Sequence, residues 1–138
     1  MLDLAEGAVA NAPFPVSLVE APAEETPLDD ASVDTVVVTY TLCTIPDVAR
    51  ALSQVRRVLR SGGRVLFCEH GAAPDDDVRR WQDRLDPLWT RIAGGCHLNR
   101  RAPDLLARAG FDVRSLATGY TPGWKVDSFH YWGEAVPQ

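Results

Sequence analysis

Three histidines are the side chains of this sequence best suited to acid–base chemistry: His70, His97 and His130. An imidazole with a pKa near neutrality can take a proton from a thiol and so provide the nucleophile of a displacement reaction. Each of the three could instead be a structural histidine that is hydrogen-bonded within the fold. We therefore treat His70, His97 and His130 as candidate catalytic residues whose positions must decide between the two roles.

Three cysteines, Cys43, Cys68 and Cys96, offer a second kind of chemistry. Cys68 lies two residues before His70, and Cys96 directly precedes His97, so a metal site is conceivable. Zinc sites usually show more closely paired ligands than these, and a buried, reduced cysteine is the commoner fate. We therefore predict no metal. The odd number of cysteines without a disulfide framework predicts reduced thiols and a cytoplasmic location.

A strand–helix–strand unit over residues 33–70 must position many of these groups. The β-branched run at 36–38 predicts a strand buried on both faces, as in parallel sheets. Asp47 is the predicted N-cap of a helix that the glycine pair at 62–63 ends, and a second strand follows over 64–68. The apolar face of that helix consists of Val48, Leu52, Val55 and Leu59.

The carboxyl ends of the two predicted strands are where we expect the chemistry. A strand–helix–strand unit joins parallel strands, and ligands of open α/β sheets bind at the carboxyl ends of such strands. Those ends lie at residues 39–43 and 69–70. The sequence therefore predicts that Thr39, Tyr40 and His70 lie near a ligand.

The N-terminal third of the chain is predicted to add a helix and a strand. Residues 1–11 are typical of the end of a helix, and residues 15–20 are typical of a short strand. An acidic, proline-containing loop follows over residues 21–32.

The C-terminal half is predicted to contain two helices and an antiparallel pair of strands. A helix begins near Asp75, and Pro87 is expected to kink or break it near Asp86. A short helix over 103–109 precedes strands at 111–116 and 129–136. The expected buried face of the first helix consists of Val78, Trp81, Leu85, Leu88 and Ile92.

Length and charge limit the classes of function. The chain has 138 residues, enough for one domain with a core, and a net charge of −5. An acidic chain has no domain-wide basic field to meet phosphates, so nucleic acid is not expected as a partner. The sequence shows neither the pattern of a signal peptide nor an apolar run long enough to span a membrane.

Several sequence words resemble class I methyltransferases that use S-adenosylmethionine (SAM), in particular the branch of thiol and phospholipid-type enzymes. The resemblance covers nearly the whole chain. The words at 81–89 (Trp-Gln-Asp-Arg-Leu-Asp-Pro-Leu-Trp) and 94–100 (Gly-Gly-Cys-His-Leu-Asn-Arg) are the most specific to the branch. The other matching words lie at residues 32–37, 42–47, 55–63, 68–70 and 130–133.

The resemblance implies a fold and a set of sites. The fold is an α/β, Rossmann-like class I methyltransferase sheet, mostly parallel with an antiparallel C-terminal strand. The adenine of SAM would lie against Pro22, Ala23 and Glu24, and the methionine part of SAM beside Thr39 and Tyr40. Methyl transfer would go to a small, apolar acceptor, with a thiol as the first choice and a lipid amine or a quinone-like carbon as the next.

One departure from the family is as informative as the match. The glycine-rich loop and the ribose-binding acidic residue of the family have no counterpart in this chain, so its first two strands are expected to be absent from a single, N-terminally truncated domain over 1–138. The strand over 33–40 would then expose an edge, which predicts a homo-oligomer or strand-exchanged dimer. The alternative function is a non-catalytic, degenerate methyltransferase half that binds itself or a partner.

Overall fold

The structure is a computed structural model that describes residue 7 and residues 9–138. The helix predicted over 1–11 therefore falls largely outside the described residues. The strands and α-helices, with one 3₁₀ turn at Ala23–Glu25, are β1 (Val33–Thr39), α1 (Val48–Val58), β2 (Leu59–His70), α2 (Asp76–Ile92), α3 (Ala102–Arg108), β3 (Phe111–Tyr120) and β4 (Phe129–Pro137).

The four strands form one mixed sheet in the order β1-β2-β4-β3. β1 and β2 are parallel, whereas β4 pairs antiparallel with both β2 and β3. The predicted α/β architecture, the parallel pair joined by a helix and the antiparallel C-terminal strands are confirmed. Only one of the three pairings between the described strands is parallel, so the parallel share is smaller than expected.

The strand predicted at residues 15–20 does not form. This segment belongs to none of the described strands, and Val16, Leu18 and Val19 are exposed. A strand needs a partner for its backbone groups, and none of the four described strands pairs with this segment. β1 pairs with β2 on one side, and none of the described strands pairs with its other side, so β1 is an edge strand. Val38 is buried, but Val37 is 66% exposed, so the prediction that both faces of this strand are buried is wrong.

Helix α1 begins as predicted and ends earlier. The Asp47 carboxylate accepts a hydrogen bond from the Arg50 N–H at 3.0 Å, which caps the helix. The helix ends at Val58, and β2 already begins at Leu59, which pairs with Val33. The glycine pair at 62–63 therefore lies within β2, where the pairing with β1 is irregular, rather than at the helix end.

Helix α2 differs most from its prediction. It runs unbroken through Pro87, and its apolar stripe points outward, with Trp81 55%, Leu88 58% and Ile92 71% exposed. Val78 is buried as predicted, and Gln82 and Asp86 are buried beside it. The polar pair faces inward because it bonds to the backbone of the loops that flank the helix, as described below.

The core lies between the sheet and helices α1 and α3. Leu52 of α1 and Leu106 of α3 are almost fully buried, and they belong to one apolar cluster with Val65 and Phe67 of β2. Alternate residues of β2 face this core, so Glu69 is drawn into it as well, at 0% exposure. None of the helices in the described ranges has the length and hydropathy needed to cross a membrane.

Candidate functional site

A cavity of about 380 Å³ opens at the carboxyl ends of β1 and β2. This is the edge of the sheet where a ligand of an α/β fold is expected. The lining comes from the ends of β1 and β2, the loop after β1, the end of α2 and the start of β4. The lining residues are Tyr40, Cys43, Thr44, His70, Trp89, Ala93, Cys96, Asp127 and His130.

Three rings form one wall of this cavity. His70 and His130 are direct neighbours across the β2–β4 pair. Tyr40 stacks on His70 with 6.4 Å between ring centroids and meets His130 edge-on at 5.6 Å. Tyr40 adopts a positive φ of 50°, which is unfavourable for a residue with a side chain and turns the chain out of β1. The turn brings the phenol over the two imidazoles.

His70 contacts a cysteine of the loop after α2. Its Nε2 lies 3.0 Å from the Cys96 Sγ. Burial lowers the pKa of His70 below 6.5; His130 lowers it further, and Asp127 opposes the shift. Burial, followed by the nearby Cys43, raises the pKa of Cys96 to about 11. At neutral pH the contact therefore joins a thiol to a neutral imidazole and is not an ion pair.

His130 has a defined tautomer. Its Nδ1 lies 2.8 Å from the carbonyl oxygen of Ser128. Because a carbonyl only accepts, Nδ1 carries the proton of the neutral ring, and Nε2 is left with a lone pair. His130 is thus the histidine of the cavity whose second nitrogen can receive a proton.

His97 lies outside the lining of this cavity. Its Nδ1 is 3.0 Å from one carboxylate oxygen of Asp86, and the other oxygen accepts the Leu98 N–H at 2.7 Å. This arrangement joins the loop after α2 to the helix itself. The structure therefore separates His97 from His70 and His130.

Glu69 anchors the loop that carries Cys43. Its side chain is fully buried, and its Oε1 accepts the Thr41 N–H at 2.8 Å. Burial raises the pKa of Glu69 above its usual value, and the backbone N–H groups of Thr41, Leu42 and Cys43 oppose the shift. The carboxylate fixes the loop at the point where it leaves Tyr40.

The same loop is tied to the segment that carries Cys96. The Arg100 guanidinium donates to the carbonyl oxygens of Leu42 at 2.7 Å and Ile45 at 2.8 Å. The His97 N–H donates to the carbonyl oxygen of Cys43 at 2.9 Å. Residues 54 or more positions apart in sequence are thereby held together, and the two cysteines face the same cavity.

Gln82 of α2 holds the other two loops of the site. Its Oε1 accepts the Ala73 N–H at 2.8 Å. Its Nε2 donates to the carbonyl oxygens of Gly71 at 3.0 Å and Val126 at 2.9 Å. Gly71 follows His70 and Val126 precedes Asp127, so one fully buried amide positions both sides of the cavity.

A second groove, of about 490 Å³, contains part of the predicted cofactor site. Pro22, Glu24 and Glu25 form one side, and Pro46, Asp47 and Arg50 form the other. Ala23 begins the 3₁₀ turn between them. Glu24 accepts the Asp47 N–H at 3.3 Å, and Arg50 pairs with Glu25 at 2.7 Å. The loop after β1 separates the two spaces, with Thr44 on the cavity and Pro46 on the groove.

The predicted site residues therefore fall into four places. Tyr40, His70 and His130 share the cavity, Pro22 and Glu24 share the groove with Ala23 between its sides, Thr39 ends β1 opposite Cys68, and His97 bonds to Asp86 outside both spaces. Sequence reasoning did not include Thr44 and Asp127 in a site, and it considered Cys96 only as a metal ligand. Trp89 belongs to a branch-specific word, which was a usable signal, whereas nothing in the sequence singled out Asp127.

Known sequences that are similar to this chain include methyltransferases. Residues 1–67 match a family model described as a methyltransferase domain. The chain is 40% identical over 109 residues to the human thiol S-methyltransferase TMT1A, covering 78% of this chain and 45% of that protein. It is 36% identical over 111 residues to the rat thiol S-methyltransferase TMT1B, covering 79% and 46%. The chain thus spans about half the length of the curated relatives it matches.

Comparison with solved structures supports the fold. A SAM-dependent methyltransferase from Methanosarcina mazei aligns with a TM-score of 0.72 at 19% identity, over 98% of this chain and 76% of that one. A SAM-dependent methyltransferase from Mesorhizobium loti aligns with a TM-score of 0.66 at 17% identity, over 96% and 74%. At these identities the likeness concerns the arrangement of the elements.

Proposed function

We propose that the chain is a SAM-dependent methyltransferase that transfers the methyl group of SAM to a small thiol. The observation that carries the proposal is the cavity in which Tyr40, His70 and His130 meet at the carboxyl ends of β1 and β2. Identities of 36–40% to thiol S-methyltransferases support a thiol as the acceptor. These comparisons do not favour the non-catalytic alternative.

The second groove fits the adenosine end of SAM. Two prolines, Pro22 and Pro46, provide apolar walls for a planar base, and the 3₁₀ turn at Ala23–Glu25 provides backbone groups beside them. Thr39 ends β1, and Tyr40 follows it on the wall of the cavity. When bound, SAM supplies an electrophilic methyl group on a sulfonium. These residues would hold it, with Tyr40 closest to the acceptor.

The cavity provides what a thiol acceptor requires. A thiol reacts as its thiolate, so a group must receive its proton, and the lone pair on His130 Nε2 is placed to do so. Tyr40 and Trp89 line the cavity with aromatic surface that excludes water from an apolar acceptor. The locked tautomer of His130 means that the ring need not reorient before it accepts the proton.

Calorimetric titration with SAM and a methyl-transfer assay with radiolabelled SAM test the proposal. We expect saturable SAM binding and transfer to an alkyl thiol, but not to the alcohol or amine of the same carbon skeleton. His130→Gln should lower kcat/KM by about 100-fold or more, as expected for a general base, whereas His97→Gln should have a much smaller effect. Transfer to the alcohol or amine, or a larger loss in His97→Gln, would contradict the assignment.

We also propose that the chain associates with itself through the open edge of β1. β1 pairs with β2 on one side only, and Val37 beside that edge is 66% exposed. Unpaired edges of this kind bind other strands. Light scattering after size exclusion should show a dimer or larger species for the wild type and a monomer for Val37→Lys. A wild type that remains monomeric at high concentration would contradict this proposal.

A cytoplasmic location is a further part of the proposal. Cys43, Cys68 and Cys96 are all free thiols in the structure, which suits a reducing compartment. Fractionation of cells that express a tagged chain should recover it with cytosolic markers. Recovery with secreted or organelle markers would contradict this location.

A further inference from the structure

Three metal-binding side chains converge beside the cavity although their positions in sequence give no sign of it. The Cys43 Sγ, one ring nitrogen of His70 and the Cys96 Sγ all lie within 4.8 Å of one another. The His70 Nε2 lies 3.0 Å from the Cys96 Sγ. In a tetrahedral zinc site with Zn–S bonds of about 2.3 Å, neighbouring ligand atoms are about 3.5–3.8 Å apart. The three atoms are therefore within small side-chain adjustments of that arrangement.

We propose that Cys43, His70 and Cys96 bind one Zn²⁺ ion. Two thiolates and one imidazole are a ligand set that suits zinc, and they would neutralise its charge. This inference departs from the prediction of no metal, which rested on spacing in the sequence. The sheet brings together one residue from the loop after β1, one from the end of β2 and one from the loop after α2.

The three ligands stand on backbone that is already fixed. The carbonyl oxygen of Cys43 accepts a hydrogen bond from the His97 N–H at 2.9 Å. Cys96 follows a glycine pair with positive φ and donates its N–H to the Ala93 carbonyl oxygen at 3.1 Å. His70 is paired to His130 in the sheet. Ligands held in this way lose little entropy when an ion binds.

Neighbouring polar groups could support thiolates at this position. Thr44 Oγ1 lies 3.4 Å from the Cys43 Sγ, so its hydroxyl can donate to that sulfur. Trp89 Nε1 is buried and makes no hydrogen bond of normal geometry among the described residues, and its indole lies beside the Cys96 sulfur on the cavity wall. A buried indole N–H without an acceptor is costly, and a metal-bound thiolate is an acceptor.

Three protein ligands leave the fourth position of the metal open toward the cavity. Sites with two cysteines, one histidine and an open position are known for catalytic zinc, where substrate takes the fourth place. Here a thiol acceptor would coordinate through sulfur as it releases its proton to His130 Nε2. This role in acceptor binding rests on the proposed function, whereas the metal site itself does not.

Metal analysis of the 138-residue chain, purified in a phosphine reductant, tests the site directly. We expect about one zinc per chain after dialysis against Zn²⁺, no retention of Mg²⁺, and thiolate-to-cobalt charge-transfer bands when Co²⁺ replaces zinc. Cys43→Ser and Cys96→Ser should each weaken zinc binding by more than about 100-fold, because loss of even an outer-shell partner costs about 10–100-fold. Cys68→Ser, which alters the cysteine outside the cluster, should leave zinc binding unchanged.

The wild-type measurements alone can overturn the proposal, so it does not depend on whether the variants fold. A reduced wild-type chain that retains no zinc, or a cobalt complex without thiolate bands, would refute the site. Zinc that remains in both Cys43→Ser and Cys96→Ser, with folding verified by circular dichroism, would refute it as well. A chain that binds zinc but transfers no methyl group would confirm the metal site and refute the proposed function.

Discussion

Replacement of Gln82 by Met tests whether one buried amide holds the site together. The substitution keeps the length and nearly the volume of the side chain but removes every hydrogen bond that the amide makes. It leaves the Ala73 N–H and the carbonyl oxygens of Gly71 and Val126 without their partner. Because all three bonds are buried, water cannot replace the amide without opening the loops.

The expected cost follows from these three groups. A buried polar group that loses its partner costs about 1–3 kcal/mol, and a carbonyl oxygen without a bond is tolerated somewhat better than an N–H. The burial of a thioether offsets part of the loss. We expect Gln82→Met to lower the free energy of unfolding by about 3–5 kcal/mol, a large fraction of the 5–15 kcal/mol that is typical of a domain.

Urea unfolding followed by circular dichroism measures this loss. With a slope of about 1–3 kcal/mol/M, the midpoint should fall by about 2 M. Gln54→Met is the matched control, since Gln54 also lies in a helix but is only partly buried and bonds to one side chain, Arg57. Its effect should stay below about 1 kcal/mol. A free energy of unfolding for Gln82→Met within about 0.5 kcal/mol of the wild-type value would refute the reasoning.

Three further predictions concern the core, the sheet and pH. Leu106 is fully buried, so Leu106→Ala should lower the free energy of unfolding, measured in urea, by about 2–5 kcal/mol. Leu116 is 48% exposed, so Leu116→Ala should lower it by less than about 1 kcal/mol. Equal losses for the two variants would contradict the assigned core. Gly133→Ala would place a Cβ 2.0 Å from a carbonyl oxygen of β3 and should lower the melting temperature. Gly119→Ala would place a Cβ 3.5 Å from a ring carbon and should leave the melting temperature unchanged. An unchanged melting temperature for Gly133→Ala would contradict the close approach of β3 to Gly133. Burial raises the pKa of Glu69 above 4.5 in the folded state, so just above that pH the native chain binds more protons than the unfolded chain. The stability of the wild type relative to Glu69→Gln should therefore fall as pH rises through that window. A stability difference that does not change with pH would contradict the burial effect.

The parts of the fold that were predictable from sequence are those decided by local chemistry. The cap at Asp47, the burial of Leu52 on α1 and the existence of β3 and β4 depend on residues close in sequence, and all were correct, whereas Leu59, predicted on the same helical face, begins β2. The segment at 15–20 carries the right residue types for a strand, but a strand also requires a partner, which local sequence does not specify.

Helix α2 shows why apolar periodicity can mislead. Trp81, Leu88 and Ile92 form a regular stripe, yet the neighbouring face of the helix is buried because Gln82 and Asp86 bond to the backbone of the loops that pack against it. Of the bonded groups only Val126 is far from α2 in sequence, but the residue pattern of the helix does not show which loop groups Gln82 and Asp86 will bond.

The candidate site divides in the same way. Strand ends could be located from sequence, and this placed Tyr40 and His70 correctly at the cavity. The meeting of Cys43 with Cys96 depends on Arg100 and on the His97 N–H, which join segments remote in sequence. Contacts of that kind follow from tertiary packing and not from spacing.

The position of β4 between β2 and β3 bears on how the chain folds while it is being synthesised. β2 and β3 share no ladder, and each pairs with β4, which is made after both. The unit over residues 33–70 can form early from contacts that are close in sequence, but β3 must wait without a partner. His70 likewise lacks His130 until β4 emerges. The reactive pocket is therefore completed last, and a nascent chain that stalls before Phe129 would present unpaired strands for chaperones to protect.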